Sequence, residues 1–453
     1  MKKSFLLFIF SVFLFLTGCA SSFVREKPNF VKVNGTQFEL ADHPYYFVGT
    51  NLWYGGYLGS PGQTGNRVRL IRELDKLKSI GITNLRVCAA SEESLMGRSV
   101  RPAIQTSPGV YDENILQGLD FLLAELNKRD MHAVLFVNNY WQWTGGMAQY
   151  NGWFGDGKVP DPDNPAEGYG VFMDYSAQFY NNDKAKEQFR KYLSDIINRR
   201  NTVTDKFYYE DPAIMAWQLA NEPRPGNNDK YLQQYYTWIT ETAQYIHSLD
   251  PNHLVTTGSE GLAGCLQSEE IFLKSHQSKY IDYATMHLWP KNWGWFNAFK
   301  VDETYQTTEK NAIEYIAKHL NYARQLNKPI TMEEFGIPRD SEKCKTGTPT
   351  TVRDKYFNAI FKVVEDSAAA GAPIAGTNFW GWGGEGRSMN SDNVWRVGDP
   401  YTNDPAQEPQ GLNSVFNTDY STLDIIKTHC LKMDKLREKK LIIEKNTEAA
   451  FVK

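Results

Sequence analysis

Ile214-Met215-Ala216-Trp217-Gln218-Leu219-Ala220-Asn221 is an apolar run of strand length that stops at a cluster of polar residues. Helical periodicity precedes and follows it along the chain. A short apolar strand between two amphipathic helices is typical of a parallel sheet covered by helices. Seven other runs have the same character: Tyr46–Leu52, Thr83–Ala90, His132–Asn139, Leu254–Glu260, Asp282–Trp289, Pro329–Gly336 and Ala375–Trp382.

Eight helical patterns alternate with these eight strands, which predicts an α/β fold of the (β/α)8 barrel type. An open, doubly wound sheet is the alternative. Asn34-Gly35 between two strand patterns predicts an N-terminal hairpin, and segments rich in Gly, Pro, Asp and Asn predict long loops after the third and eighth strands. The predicted helices are Thr64–Ser79, Asp112–Arg129, Asp183–Arg200, Asp229–Ser248, Glu269–Lys279, Thr307–Asn327, Thr350–Ala370 and Leu423–Glu438.

The composition excludes some classes of protein. The 453 residues are 41% hydrophobic, and 49 basic side chains against 53 acidic ones leave a formal charge of −4. Nucleic-acid binders carry a basic face, so we expect no nucleic-acid partner. There is no Cys-x-x-Cys motif and no His pair at metal-ligand spacing, so we expect neither a metal nor another cofactor.

The first residues are typical of a secretory signal peptide. Lys2 and Lys3 precede a short apolar run that ends in Leu16-Thr17-Gly18-Cys19, which resembles the lipobox of bacterial lipoproteins. We therefore expect residues 1–18 to be removed, Cys19 to be lipidated and residues 19–28 to form a tether. This predicts an exported protein anchored at the outer membrane or cell surface of a Gram-negative bacterium; secretion into the medium is the alternative. The pairing of the other four cysteines stays open.

Two strand ends carry carboxylates. Glu222 follows the fourth run in Asn221-Glu222-Pro223, and Glu334 ends the seventh in Glu333-Glu334-Phe335. Because the carboxyl ends of all strands meet at one face of such a barrel, both side chains are expected in one pocket. Glycoside hydrolysis needs such a pair, one to protonate the leaving oxygen and one to meet the sugar carbon.

These strand ends resemble glycoside hydrolase family 5, and more specifically its endo-β-1,4-mannanases. The resemblance runs in order from about residue 30 to residue 385. It rests on Gly49–Tyr54, Asn84–Val87, Val137–Trp141, Ala216–Arg224, Met286–Pro290 and Phe379–Trp382. A catalytic domain over residues 29–435 follows, with a charged tail at 436–453.

The resemblance implies a role for each matching residue. Glu222 would be the general acid and then the base, and Glu334 the nucleophile. Asn221 would bond the sugar 2-hydroxyl, and Arg86 would keep Glu334 ionised. Among the other residues expected to contact substrate, His287 would lie beside the carboxylates, Trp380 would be the platform under the reacting sugar, and Trp53, Tyr54, Asn138 and Trp141 lie in or beside strand ends.

One position departs from the family pattern. The mannanases usually have Tyr two residues after the His, where its hydroxyl supports the nucleophile, whereas this chain has Trp289. An indole N–H donates from a different point in space than a phenol does. The support of the nucleophile therefore stays open: a neighbouring Tyr replaces the missing one, or Trp289 serves as a sugar-stacking surface instead.

The sequence thus predicts a monomeric, retaining endo-hydrolase of internal β-1,4-mannosidic bonds in mannan, galactomannan or glucomannan. Retention requires carboxyl groups roughly 5–5.5 Å apart. Since Glu222 must start protonated, we expect the charge of Glu334 to raise its pKa. The alternatives are an endo-β-1,4-glucanase or an exo-mannosidase of the same family, and a lipid-anchored glycan-binding protein without catalysis.

Overall fold

A computed structural model describes residues 29–451, and the side chains up to residue 442. The predicted signal peptide and Cys19 lie outside the described residues. Eight short parallel strands form the centre, and each lies within one of the predicted runs. They are β1 (Phe47–Asn51), β2 (Asn84–Cys88), β3 (His132–Phe136), β4 (Ile214–Gln218), β5 (Leu254–Thr256), β6 (Ala284–Leu288), β7 (Ile330–Phe335) and β8 (Ile374–Phe379).

The strands pair in chain order, and β8 pairs with β1. A parallel bridge between Thr256 and Tyr283 joins β5 to the start of β6 and completes the ring. The predicted barrel is therefore confirmed and the open sheet is excluded. Nearly all strand residues are buried on both faces, which explains why the runs are continuously apolar rather than alternating.

One long helix follows each strand, as predicted. Several begin at a side-chain cap: Asn66, for example, accepts from the backbone N–H of Arg69, and Ser268 from that of Ile271. Their apolar stripes face the strands. The helices are α1 (Arg67–Ser79), α2 (Glu113–Asn127), α3 (Asp183–Ile197), α4 (Leu232–Leu249), α5 (Glu269–His276), α6 (Val301–Leu326), α7 (Thr351–Ala369) and α8 (Tyr420–Phe451).

The predicted hairpin covers the N-terminal end of the barrel. Strands Lys32–Asn34 and Gln37–Leu40 pair around Gly35, whose φ of 58° suits the tight turn, and His43–Tyr45 adds a third strand. Phe38 packs against Phe47 and Tyr283 at the starts of β1 and β6. The hairpin therefore covers this end of the barrel, and the carboxyl ends of the strands lie at the opposite face.

The loops at that opposite face carry further short elements. The β3 loop (residues 137–182) and the β8 loop (residues 380–419) are long, as predicted. The further short elements are the helices Gly55–Gly59, Gly146–Phe154 and Gly168–Ala177, the 3-10 turns Gln142–Thr144, Gln178–Asn181, Leu262–Cys265 and Asp340–Glu342, and the strand pairs Gln105–Ser107 with Val110–Tyr111 and Trp382–Gly384 with Val415–Phe416. One further 3-10 turn, Tyr208–Glu210, lies between α3 and β4 at the N-terminal end of the barrel.

The four cysteines of the described region are all unpaired. Cys88, Cys265 and Cys430 are buried, and Cys344 is half-buried. Burial raises the pKa of the Cys344 thiol to about 11, because a thiolate loses its hydration inside the protein. Across residues 29–451, none of the helices combines the length and apolar character that crossing a bilayer requires.

Candidate active site

Glu222 and Glu334 meet at the carboxyl ends of the strands. Glu222 lies beyond β4 with a left-handed φ of 51°, and its N–H donates to the carbonyl of Gly258 at 3.0 Å. Glu334 lies near the end of β7. Both residues are buried, with 7% of Glu222 and 3% of Glu334 exposed. One oxygen of each carboxylate and a ring nitrogen of His287 lie within 4.8 Å of one another.

Arg86, in β2, holds Glu334 and orients Asn221. Its Nη1 donates to Glu334 Oε1 and, at 3.1 Å, to Asn51 Oδ1. Its Nη2 donates to Asn221 Oδ1 at 2.7 Å. This leaves the Asn221 amide nitrogen, which donates to Asn139 Oδ1 at 3.1 Å, turned away from the guanidinium. The predicted role of Arg86 beside Glu334 thus has the required geometry.

Two polar residues of this network, Gln218 and Glu333, were not predicted from the sequence. Gln218 Oε1 accepts from Arg86 Nε at 2.9 Å and from Nη2 at 2.7 Å, and its Nε2 donates to Glu333. Glu333 is 1% exposed and also lies 3.8 Å from Arg86 Nε. A signal for both was available, because a polar residue inside an otherwise apolar strand of a barrel needs a buried partner.

Glu222 accepts two short hydrogen bonds. His287 Nδ1 lies 2.6 Å from Glu222 Oε1 and 3.4 Å from Glu334 Oε2, so the imidazole lies between the two carboxylates. Trp141 Nε1 donates to Glu222 Oε2 at 2.5 Å. Both residues were predicted at the site. Trp141 was expected as a sugar contact, and the structure gives it a direct contact with Glu222 as well.

Trp289 donates a hydrogen bond to Glu334, the predicted nucleophile. Its Nε1 lies 3.0 Å from Glu334 Oε2, so the indole fills the supporting role that the sequence left open. Its ring packs edge-on against Trp380, with ring centres 5.7 Å apart. With its amide oriented to satisfy both neighbours, Asn403 of the β8 loop accepts from Trp380 Nε1 at 3.2 Å and donates to the Asn51 carbonyl at 2.7 Å. Trp380 and Glu334 are thus held by one connected set of contacts.

The electrostatics correct one expectation. Burial disfavours the ionised form of Glu222, but the hydrogen bond and charge of His287 outweigh it and hold the pKa of that carboxyl below its usual range. Burial raises the pKa of Glu334, although His287 and Arg86 oppose the shift. The predicted rise of the Glu222 pKa is therefore wrong, because His287 lies closer to Glu222 than to Glu334.

His287 is far more basic than an ordinary histidine. Burial alone would lower its pKa, yet the charge of Glu334 and the hydrogen bond to Glu222 raise it to about 10. The three groups lie near enough together to surround a metal ion. The donors Trp141, Arg86 and Trp289 already occupy the carboxylates, however, so the arrangement suits proton transfer better.

The other predicted contacts lie deeper. Tyr54 is completely buried, and its hydroxyl donates to the carbonyl of Trp382 at 2.9 Å, so its ring packs in the interior and offers no face to a sugar. Trp53 is 2% exposed and donates to the carbonyl of Asn403 at 2.7 Å. Asn138 is buried, with Oδ1 bonded to the N–H of Asn139. The predicted contact between Tyr54 and the sugar is therefore wrong.

The comparisons with known proteins agree with this geometry. The family model described as "GH family 5 beta-mannosidase-like" matches residues 28–438. A putative mannan endo-1,4-β-mannosidase 4 of Arabidopsis thaliana is 30% identical over 430 residues, which is 90% of this chain and 92% of the plant protein.

Two solved structures from Rhizomucor miehei share the fold. A glycoside hydrolase family 5 mannosidase superposes with a TM-score of 0.83 at 34% identity, covering 90% of this chain and 99% of the fungal one. An endo-1,4-β-mannanase has a TM-score of 0.65 at 23% identity, over 90% and 99% of the two chains, and shows the fold alone. The family model spans most of the chain, and the carboxylates lie where that fold places its chemistry, so this chain belongs to glycoside hydrolase family 5.

Proposed function

We propose that this enzyme hydrolyses β-mannosidic bonds by double displacement, with retention at the anomeric carbon. The observation that carries the proposal is the short separation of Glu222 and Glu334, with one oxygen of each within 4.8 Å of the other. Retaining enzymes need carboxyl groups about 5–5.5 Å apart, whereas inverting enzymes need about 6.5–9.5 Å to admit a water molecule.

In the first step Glu334 attacks the anomeric carbon while a proton passes to the departing oxygen, and a glycosyl-enzyme ester forms. In the second step Glu222, now ionised, takes a proton from a water molecule that displaces Glu334. Arg86 and Trp289 each donate to Glu334. They fix the carboxylate for attack and stabilise it again as it leaves the sugar.

The acid step depends on His287 as well as on Glu222. The raised pKa of His287 and the lowered pKa of Glu222 favour an imidazolium beside an ionised Glu222. The proton on Nδ1 needs to cross only the 2.6 Å hydrogen bond to Glu222 Oε1 before it is available to the leaving oxygen. The His287–Glu222 pair thus acts as one proton donor. When the sugar oxygen takes the proton, His287 is left neutral and Glu222 stays ionised.

Two modes of action have support. Cleavage inside mannan, galactomannan or glucomannan is the first candidate, since the plant relative is named a mannan endo-1,4-β-mannosidase. Release of single mannose units is the second. The family description "beta-mannosidase-like" and the name mannosidase of the 34% identical fungal structure favour it.

The experiment follows the stereochemistry of the product. Proton NMR during hydrolysis of 4-nitrophenyl β-mannoside and of mannohexaose should show the β-anomer first, before mutarotation. Glu334→Ala should abolish turnover, and azide should restore it with an α-mannosyl azide product. First appearance of the α-anomer would refute retention.

Substrate preference is tested alongside. Activity on mannan should exceed activity on carboxymethyl-cellulose, and the reverse order would favour a glucanase. If Glu334→Ala left both glycan binding and any turnover unchanged, the protein would be a glycan-binding protein without catalysis.

A further inference from the structure

A β-bulge in β7 brings two consecutive carboxylates into the barrel. Where β6 pairs with β7, Met286 lies opposite Met332 and His287 lies opposite Glu334, so Glu333 is an extra residue on β7. Successive side chains of a regular strand point to opposite faces, and a bulge changes these directions. The Glu333 carboxylate accordingly contacts side chains of β2, β4 and β6 across the barrel, while Glu334 faces the pocket.

The Glu333 carboxylate is buried among donors. Gln218 Nε2 donates to its Oε2, and the hydroxyls of Tyr283 and Thr331 donate to its Oε1 at 3.5 Å and 3.4 Å. Arg86 Nε lies 3.8 Å from Oε2. These surroundings suit an ionised carboxylate, because that form only accepts hydrogen bonds.

The second ring nitrogen of His287 lies on the side of this carboxylate. His287 is completely buried, and its Nδ1 lies 2.6 Å from Glu222 Oε1. Its Nε2 has no hydrogen-bond partner among the side chains that the structure describes, and Glu333 Oε2 lies 4.0 Å away from it. A carboxylate at this position attracts an Nε2–H group and repels a bare nitrogen lone pair. It therefore favours forms of the imidazole that carry a proton on Nε2.

Other charged groups surround the imidazole on its remaining sides. They are Glu222 after β4, Glu260 and Arg224 in the loops after β5 and β4, Arg86 of β2 and Glu334 of β7. Glu222 and Glu334 both approach Nδ1, at 2.6 Å and 3.4 Å. Glu260 and Arg224 form an ion pair with each other, so their opposite charges largely cancel at the ring. Among the described residues, Glu333 is the carboxylate within 4.0 Å of Nε2.

We propose that Glu333 is a positioning residue that keeps Nε2 of His287 protonated, so that the proton exchanged with Glu222 is the one on Nδ1. In the first step the Nδ1–H bond breaks as the proton passes through Glu222 to the leaving oxygen, and His287 remains as the neutral Nε2–H form. In the second step a water proton passes to Glu222 and on to Nδ1, which restores the imidazolium. This inference rests on the proposed double displacement and adds a third member to its acid–base pair.

Glu333→Gln tests this role because it removes the charge and keeps the size of the side chain. Without that charge His287 should lose its proton at lower pH. The alkaline limb of kcat/KM on 4-nitrophenyl β-mannoside should therefore move from about 10 to lower pH by at least about one unit. The acidic limb should not move to higher pH. Glu333→Asp keeps the charge, so its alkaline limb should stay nearer to that of the wild type.

Nitrogen NMR of histidine-labelled protein measures the same property without turnover. In the wild type both ring nitrogens of His287 should be protonated at about pH 8, since this histidine is charged there. In Glu333→Gln the His287 signals should titrate at lower pH, by the same interval as the alkaline limb. The spectrum of His287→Gln identifies these signals among those of the other histidines.

Glu92→Gln is the matched control. Glu92, in the loop after β2, is also 1% exposed, and its carboxylate accepts from the N–H of Gly146 at 2.8 Å rather than facing the imidazole. The chemical change is the same as in Glu333→Gln. Its alkaline limb and its His287 signals should equal those of the wild type.

Two results would overturn the inference. One is a wild-type His287 that is already neutral at about pH 8, which needs no variant to observe. The other is a Glu333→Gln protein whose alkaline limb and His287 titration match those of the control. In both cases retention on the aryl mannoside would leave the proposed function standing. Failure to hydrolyse any β-mannoside would remove the proposed function, whereas the NMR titration would still show whether Glu333 holds the proton on Nε2.

Discussion

Replacing Trp289 by Phe tests how Glu334, the proposed nucleophile, is kept ionised. The change removes the Nε1–H that lies 3.0 Å from Glu334 Oε2 and keeps an aromatic ring against Trp380. Arg86 still donates to the other oxygen of Glu334. The expected effect is therefore a selective loss of stabilisation of the carboxylate form, since a protonated Glu334 needs this donor much less.

The magnitude follows from the burial of the pair. A hydrogen bond to a charged group contributes about 1.5–3 kcal/mol, and the low exposure of Trp289 and Glu334, 7% and 3%, leaves little screening by solvent. His287 Nδ1, 3.4 Å from the same oxygen, can make up part of the loss. We therefore take the lower end, which corresponds to a rise of about one unit in the pKa of Glu334.

The assay is the pH dependence of kcat/KM on 4-nitrophenyl β-mannoside. Glu334 must be ionised to attack, so activity is lost as the pH falls through its pKa. In Trp289→Phe the acidic limb should therefore move about one unit toward higher pH. Trp295→Phe, in the same loop and packed against Trp293, is the control and should keep the wild-type limb. An acidic limb unchanged in Trp289→Phe, or a loss equal at every pH, would refute the reasoning.

Three further outcomes are expected. Arg86→Lys should lower kcat by at least about a hundredfold with a normal circular dichroism spectrum. The reason is that one ammonium group cannot replace the planar guanidinium, whose separate nitrogens bond Glu334, Asn221 and Gln218. Activity within tenfold of the wild type would contradict this. Wild-type activity should persist in mild alkali and fall as the pH rises through about 10, where His287 loses its proton. In His287→Gln this alkaline limb of the pH profile should move to lower pH. An alkaline limb that does not move would show that His287 takes no part in the acid step. Cys19→Ser should shift the protein from the membrane fraction to the soluble one, since a lipid on Cys19 supplies the expected attachment; an unchanged distribution would argue against the anchor.

The fold and the meeting of Glu222 with Glu334 could be predicted from the sequence because both follow from a periodic signal. Strand-length apolar runs alternate with helical patterns around the whole barrel, and Glu222 and Glu334 stand where two such runs end. The residue at the end of each strand then determines which side chain faces the pocket.

Other features depend on contacts between distant segments. The direction of the Trp289 N–H, the position of His287 nearer to Glu222 than to Glu334, and the burial of Tyr54 follow from side-chain packing that no spacing encodes. An ion pair between Arg98 and Asp163 joins the irregular loops that follow β2 and β3, where there is no periodicity to interpret.

The unpaired thiols have a practical consequence. Because Cys88, Cys265 and Cys430 are sealed in the interior and none of the four described cysteines forms a crosslink, correct folding of residues 29–451 requires no oxidant. The catalytic domain should therefore reach the same structure in a reducing cytosol as in an oxidising compartment. Cys344, the half-buried one, then offers a single slow-reacting handle for attaching a probe without touching the barrel.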